Sequence, residues 1–163
     1  MRPTLPALCT LFALSTTAHA AVSVKPITAP ALKAAVAAHK GHVVVLNFWA
    51  TWCDGCVQEF PDIVAVGKAY HMRGVDLVTV SADSARSVGT KVIPFLIKHG
   101  VSGTQYLQTP GDIDAFAAAF DPQWQPAAYP STYIYDRQGK LVKVVRTTLS
   151  RPALAAILQP LLK

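Results

Sequence analysis

Two nearly continuous apolar runs anchor the reading of this chain. Val43-Val44-Val45-Leu46-Asn47-Phe48-Trp49 is rich in branched and aromatic residues, the pattern of a strand buried on both faces. Val75-Asp76-Leu77-Val78-Thr79-Val80, entered after Gly74, reads as a second buried strand. Between them a helix is predicted from about Cys53 to Tyr70, because Val57, Phe60, Ile63, Val64 and Gly67 recur at three- and four-residue spacing near one face. Pro61, inside that span, is expected to kink it. Strand, helix and strand in this order make a βαβ unit.

The flanking segments complete the outline. Residues 21–30, with Pro26 and Pro30, read as a mobile lead-in to an Ala-rich helix over about Pro30 to Lys40, with Pro30 in its first turn and Gly41 ending it. Residues 85–99 read as a helix disturbed by Pro94. From Val101 to Ala128 the pattern is irregular, with a short helix over Asp112 to Phe120, and the stretch is read as an insertion. Thr132-Tyr133-Ile134-Tyr135 and Leu141-Val142-Lys143-Val144-Val145 flank Asp136-Arg137-Gln138-Gly139, whose glycine suits a tight hairpin. An apolar helix over Ser150 to Leu162, capped by Ser150 and with Pro152 in its first turn, closes the chain. A mixed sheet flanked by helices follows.

Composition narrows the function classes. At 163 residues one domain with a real apolar core is expected. The first twenty residues read as a cleaved secretory signal: Arg2 is the positive region, Leu5 to Leu14 is mainly apolar, and Ala18-His19-Ala20 supplies the cleavage site. The expected organisation is therefore a signal peptide over 1–20 and a single domain over 21–163, periplasmic or otherwise exported. The apolar run is too short for a membrane span, and Pro6-Ala7-Leu8 before Cys9 does not resemble a lipobox. Removing 1–20 takes one cation, so Lys plus Arg falls from 15 to 14 against 9 Asp plus Glu, a net of +5. These cations are dispersed, so the footprint of a nucleic-acid or membrane-surface binder is missing.

Processing also removes Cys9 and leaves Cys53 and Cys56, in Trp52-Cys53-Asp54-Gly55-Cys56, as each other's partners in an oxidising compartment. A cysteine at a helix start meets unsatisfied N–H groups and the positive end of the helix dipole, which favour the thiolate. One turn on, Cys56 can resolve a mixed disulfide formed by Cys53. A purely structural bridge closing so short a loop would remove little unfolded-chain entropy. Zinc would need further ligands, and His39, His42, His71 and His99 show no ligand spacing; neither metal nor cofactor is expected.

The segment Asn47-Phe48-Trp49-Ala50-Thr51-Trp52-Cys53-Asp54-Gly55-Cys56-Val57-Gln58-Glu59-Phe60-Pro61 resembles the active-site segment of TlpA/ResA-type thioredoxin-like proteins. Tyr129-Pro130-Ser131-Thr132-Tyr133-Ile134-Tyr135-Asp136-Arg137-Gln138-Gly139-Lys140 is similar to that family's cis-proline, strand and turn. The resemblance covers roughly residues 40–146. It implies an α/β thioredoxin-like fold with a mixed central sheet flanked by helices and an insertion before the cis-proline strand. It also implies a thiol:disulfide oxidoreductase that reduces disulfides of exported client proteins, with Cys53 as nucleophile and Cys56 resolving, supplied by an electron-donor protein. Pro130 would face the cysteines, and Trp52, Asp54, Gly55 and Tyr129 would meet substrate, Tyr129 through its backbone. Trp124 is expected to pack rather than to bind.

Many family members carry proline where this chain has Gly55. Glu59 matches the family's glutamate and lies one turn after Cys56, where a buried carboxyl would store a proton. Thioredoxins place an aspartate at the position of Asn47, whose amide cannot titrate near neutral pH. The protein is expected to act as a monomer. A copper-delivering, metallochaperone-like module using the two soft thiolates is the alternative. A thiol peroxidase is disfavoured because no Thr/Cys/Arg constellation of that kind is found.

Overall fold

A computed structural model describes residues 21–109, 113–126 and 128–163. The expected signal segment 1–20, the first residue of the expected 112–120 helix and Ala127 lie outside the described residues. Six strands, β1 (Ser23–Ile27), β2 (Val43–Trp49), β3 (Val75–Ser81), β4 (Thr104–Gln108), β5 (Ser131–Tyr135) and β6 (Leu141–Val145), form one sheet in the order β1-β4-β3-β2-β5-β6. β1, β4, β3 and β2 run parallel, and β5 pairs antiparallel with both β2 and β6. The helices are α1 (Ala29–Ala37), α2 (Asp54–Tyr70), α3 (Ile93–Lys98), α4 (Ile113–Phe120) and α5 (Arg151–Leu158). This is the mixed, helix-flanked sheet expected from the sequence.

Every residue of β2 is buried, and its alternation assigns the two layers. Val44, Leu46 and Phe48 face one side, where Leu32 and Val36 of α1 and Phe116 and Phe120 of α4 complete the core. Phe48 packs edge-on against Phe116, Phe120 and Tyr133. Val43 and Val45 face the other side, against Ile63 and Val66 of α2 and Leu154 and Leu158 of α5. At the carboxyl end of the strand Trp49 lies in a third cluster with Phe60, Val64, Leu96 and both cysteines, its ring stacked on Phe95.

Several sequence expectations are corrected. The lead-in 21–30 contains a strand: β1 pairs along its length with β4. β4 in turn lies inside the segment expected to be an insertion, so the true excursion begins only after Gln108. α1 is capped by Thr28, whose Oγ1 accepts from Ala31 N–H at 3.3 Å. Val57, assigned to the buried face of α2, is 37% exposed. Over 85–98 the chain makes a 3₁₀ turn and a wide π-type turn before α3, so Pro94 falls in the first turn of a new helix, where its missing N–H is harmless. Ser150 occupies the cap position of α5 without a side-chain cap bond; Asp62 of α2 accepts from Arg151 N–H at 2.9 Å instead. The hairpin is as expected, with Gly139 at φ 80°.

Ile63 is fully buried between α2, α5 and the sheet. Ile63→Ala should therefore lower stability by about 2–5 kcal/mol, read as a fall in urea midpoint with the disulfide closed.

Candidate active site

β2 delivers the chain to its carboxyl edge, and α2 starts after a turn of four residues, 50–53. The turn between them is clamped by Asp83, just beyond β3. Its carboxylate accepts from Thr51 N–H at 2.9 Å, from the Thr51 hydroxyl at 2.5 Å and from the Ser81 hydroxyl at 2.8 Å. Asp83 is buried, so these three bonds replace its water and fix the turn that carries Trp52 and Cys53.

Cys53 occupies the N-cap of α2 and is joined to Cys56 in a disulfide, with a Cα–Cα distance of 5.2 Å. Cys56 N–H donates to Cys53 Sγ at 3.2 Å. When the bond is open, the same N–H and the helix start favour negative charge on Cys53. Cys56 has no exposed surface while Cys53 retains 9%, so an incoming group meets Cys53 first.

The Tyr129–Pro130 peptide is cis, as expected. Its ring borders Gly55: a Cβ at 55 would sit 3.3 Å from Pro130 Cδ and 3.2 Å from Thr148 Oγ1. A side chain there would press on both neighbours, which would have to give by a few tenths of an ångström. Trp52 is 54% exposed and meets the Tyr129 ring edge-on, with centroids 5.7 Å apart. Trp124 packs as expected, against Tyr129 and Phe48, and its Nε1 donates to Asp114 at 2.8 Å. Asp54 stays exposed at the first residue of α2.

Glu59 lies one turn below Cys56 with 2% of its surface exposed. Its Oε1 accepts from Asn47 Nδ2 at 2.9 Å and its Oε2 from Leu149 N–H at 2.7 Å. Burial raises the carboxyl, the two hydrogen bonds oppose this, and the balance leaves it pushed up to about 7. Asn47 Nδ2 also donates to Thr132 Oγ1 at 3.0 Å, whereas Asn47 Oδ1 is buried without a hydrogen-bond partner.

The fold thus gathers Trp52, Cys53, Asp54, Gly55, Cys56, Glu59, Tyr129 and Pro130 at one edge of the sheet. Sequence reasoning missed Asp83, Thr148 and the Leu149 amide. A polar Ser-Ala-Asp-Ser stretch following a buried strand was the one available signal for Asp83. Nothing local marks Thr148 or Leu149.

A family model described as the AhpC/TSA family matches residues 23–144. Thiol-disulfide oxidoreductase ResA of Bacillus subtilis (strain 168) is 32% identical over 112 residues, 68% of this chain and 56% of that protein. Thioredoxin-like protein YneN of the same organism is 32% identical over 112 residues, 69% of this chain and 61% of that protein. The match therefore spans less than two thirds of these relatives' length. Among solved structures, a thiol:disulfide interchange protein of the thioredoxin family from Chlorobium tepidum TLS superposes with a TM-score of 0.63 at 23% identity, covering 78% of this chain and 84% of that one.

The raised carboxyl makes stability depend on pH with a definite sign. Between an unfolded value near 4.5 and a folded value of about 7, folded Glu59 holds a proton that the unfolded chain has released. Its contribution therefore falls as pH rises through this window and is level above it. The loss amounts to about 3 kcal/mol. Glu59→Gln should remove that slope; urea midpoints of the disulfide-closed protein between about pH 5 and 8 measure it, and equal slopes in the two proteins would contradict the assignment.

Proposed function

This chain belongs to the AhpC/TSA family, and from that premise we propose that it is an exported thiol:disulfide oxidoreductase that reduces disulfides in other exported proteins. The observation that carries the reading is the Cys53–Cys56 disulfide across the first turn of α2, with a buried carboxyl directly behind it. The likeness to ResA supports it, and the leader-like residues 1–20 support export.

The cycle starts from the dithiol, regenerated by an electron-donor protein. Cys53 thiolate attacks one sulfur of a client disulfide, and the other client sulfur leaves as thiolate. Cys56 then attacks Cys53 Sγ in the mixed disulfide and expels the second client sulfur. Its proton passes to Glu59, and two electrons have moved from protein to client. A carboxyl at about 7 suits this task, because it accepts and returns a proton near neutral pH.

The protonated carboxyl needs an acceptor for its O–H. Asn47 Oδ1, unpartnered as placed, provides it once the amide turns over, and Thr132 Oγ1 can then donate to the same oxygen. The apolar lip of Trp52 and Tyr129, with cis Pro130, is where an extended client segment would lie.

Cys53→Ser should abolish exchange, whereas Cys56→Ser should accumulate mixed disulfides through Cys53; equal trapping by both would overturn the roles. Glu59→Gln should slow resolution and shift the cysteine titrations while leaving the fold intact. A redox titration against dithiothreitol should place the couple nearer thioredoxin's roughly −270 mV than DsbA's roughly −120 mV. A value near the latter would make the protein an oxidant.

A further inference from the structure

Beside Trp52 and Tyr129 lies a third ring to which the disulfide chemistry gives no task. Trp124, in the excursion between β4 and β5, meets Tyr129 edge-on, with centroids 5.1 Å apart and planes at 71°. Tyr129 meets Trp52 in the same way at 5.7 Å. The three rings form a continuous aromatic ledge that starts at the residue before Cys53 and ends in the excursion. Tyr129 is its middle member, packed against both the Phe48 cluster and the cluster that holds the cysteines.

Trp124 is fixed from both ends. Its Nε1 donates to Asp114 Oδ1 in the first turn of α4 at 2.8 Å, and its backbone N–H donates to Asp121 O at 2.9 Å. The Asp121 carboxylate accepts from the Tyr133 hydroxyl at 2.7 Å, from Gln123 N–H at 2.9 Å and from Arg146. These bonds tie the turn to β5 and to the residue after β6. Burial pulls the Asp121 carboxyl up, but its donors outweigh this and hold it below its ordinary value. The Tyr129 hydroxyl donates to Gln108 Oε1 at 3.0 Å, and burial above all pushes the phenol up to about 12, so it stays a donor near neutral pH.

Covering the core does not call for so much restraint. Phe48 already has Phe116, Phe120 and Tyr133 edge-on, and Trp124 adds only a tilted contact at 6.4 Å while remaining partly exposed. An indole whose N–H and ring are both committed is held in one orientation, and the ring it orients is Tyr129. We propose that Trp124 is a positioning residue that sets the Tyr129 ring, and that the resulting ledge makes the protein prefer extended polypeptide disulfides with an apolar side chain beside the cysteine over small hydrophilic disulfides. This rests on the disulfide-reducing activity proposed above. A client cysteine brought to Cys53 lays its neighbouring side chain over Trp52 and Tyr129, where apolar surface leaves water. A small disulfide reaches Cys53 without crossing the ledge. In both cases one disulfide is reduced to two thiols as Cys53 and Cys56 close theirs, so the preference lies in binding and not in the exchange itself.

The test takes the full chain, reduced beforehand and freed of reductant, against an excess of either of two oxidants. One is glutathione disulfide; the other is the disulfide of a short peptide with leucine beside its cysteine. Thiol trapping at timed intervals follows closure of the Cys53–Cys56 bond, and the unmodified protein should react faster with the peptide. Trp124→Ala should lower the ratio of peptide to glutathione rate constants by about two- to tenfold, the loss of one edge-to-face ring pair. Trp124→Phe, which keeps a ring, should recover part of that loss. Asp114→Ala frees the indole without removing it and should shift the ratio in the same direction, which decides the matter if Trp124→Ala fails to fold. A merely structural role lowers both rates together, so an unchanged ratio in the folded alanine variants overturns the proposal. Equal rates with the two oxidants in the unmodified protein overturn it as well, with the reducing activity intact. Reaction with neither oxidant overturns the reducing activity itself and the proposal with it.

Discussion

The constraint on which this molecule depends is that β2 is buried on both faces and yet ends in a reacting pair of sulfurs. Burial on both faces demands two helical layers, and the sequence supplies them as α1 and α4 against Val44, Leu46 and Phe48, and α2 and α5 against Val43 and Val45. Because only four residues separate the strand's end from α2, the helix's unsatisfied N–H groups are held at the sheet edge by the whole core. The chemistry at Cys53 thus inherits its rigidity from apolar packing far larger than the site.

Placing polar groups inside such a strand carries a penalty that the site exploits. Asn47 interrupts the apolar run of β2 and Glu59 interrupts the inner face of α2, and each meets the other. With the Leu149 amide and Thr132 they bind together β2, α2, β5 and the entry to α5. An ionised carboxyl in this setting is unfavourable unless fully compensated. Two donors compensate it only in part, so protonation near neutral pH relieves the remainder. The same burial that makes Glu59 a liability to stability at high pH makes it fit to exchange protons.

What the sequence disclosed follows the range of the interactions involved. β2, α2 and the β5–β6 hairpin announce themselves through local periodicity and a turn glycine, and the cysteine pair and Glu59 sit at fixed offsets on α2. β1 was hidden because Pro26 and Lys25 break the strand pattern, and its place is set by long-range contacts, the pairing with β4 and the burial of Ile27 in the core. β4 was hidden because Gln105 looks solvent-facing, whereas it is buried and accepts from the Thr79 hydroxyl at 2.7 Å. The Asp83 clamp, the Thr148 contact on Gly55 and the edge-on meeting of Trp52 with Tyr129 all join residues distant in sequence. Each is a product of topology, and no window along the chain contains it.

The electrostatics of the centre bear on the direction of exchange. A helix start and the Cys56 N–H favour thiolate at Cys53, and anything that stabilises the thiolate form stabilises the dithiol state and weakens the protein as a reductant. Two acids oppose this. Asp54 carries negative charge beside Cys53, although at an exposed position where solvent and salt screen it. Glu59 is shielded from solvent, so its charge acts at greater strength on the sulfurs. While protonated it leaves the thiolate unopposed; once ionised it repels it and drives electrons outward. In the proposed cycle, the reducing power of the pair is therefore tied to the state of one buried carboxyl, and it is greater with that carboxyl ionised than with it protonated.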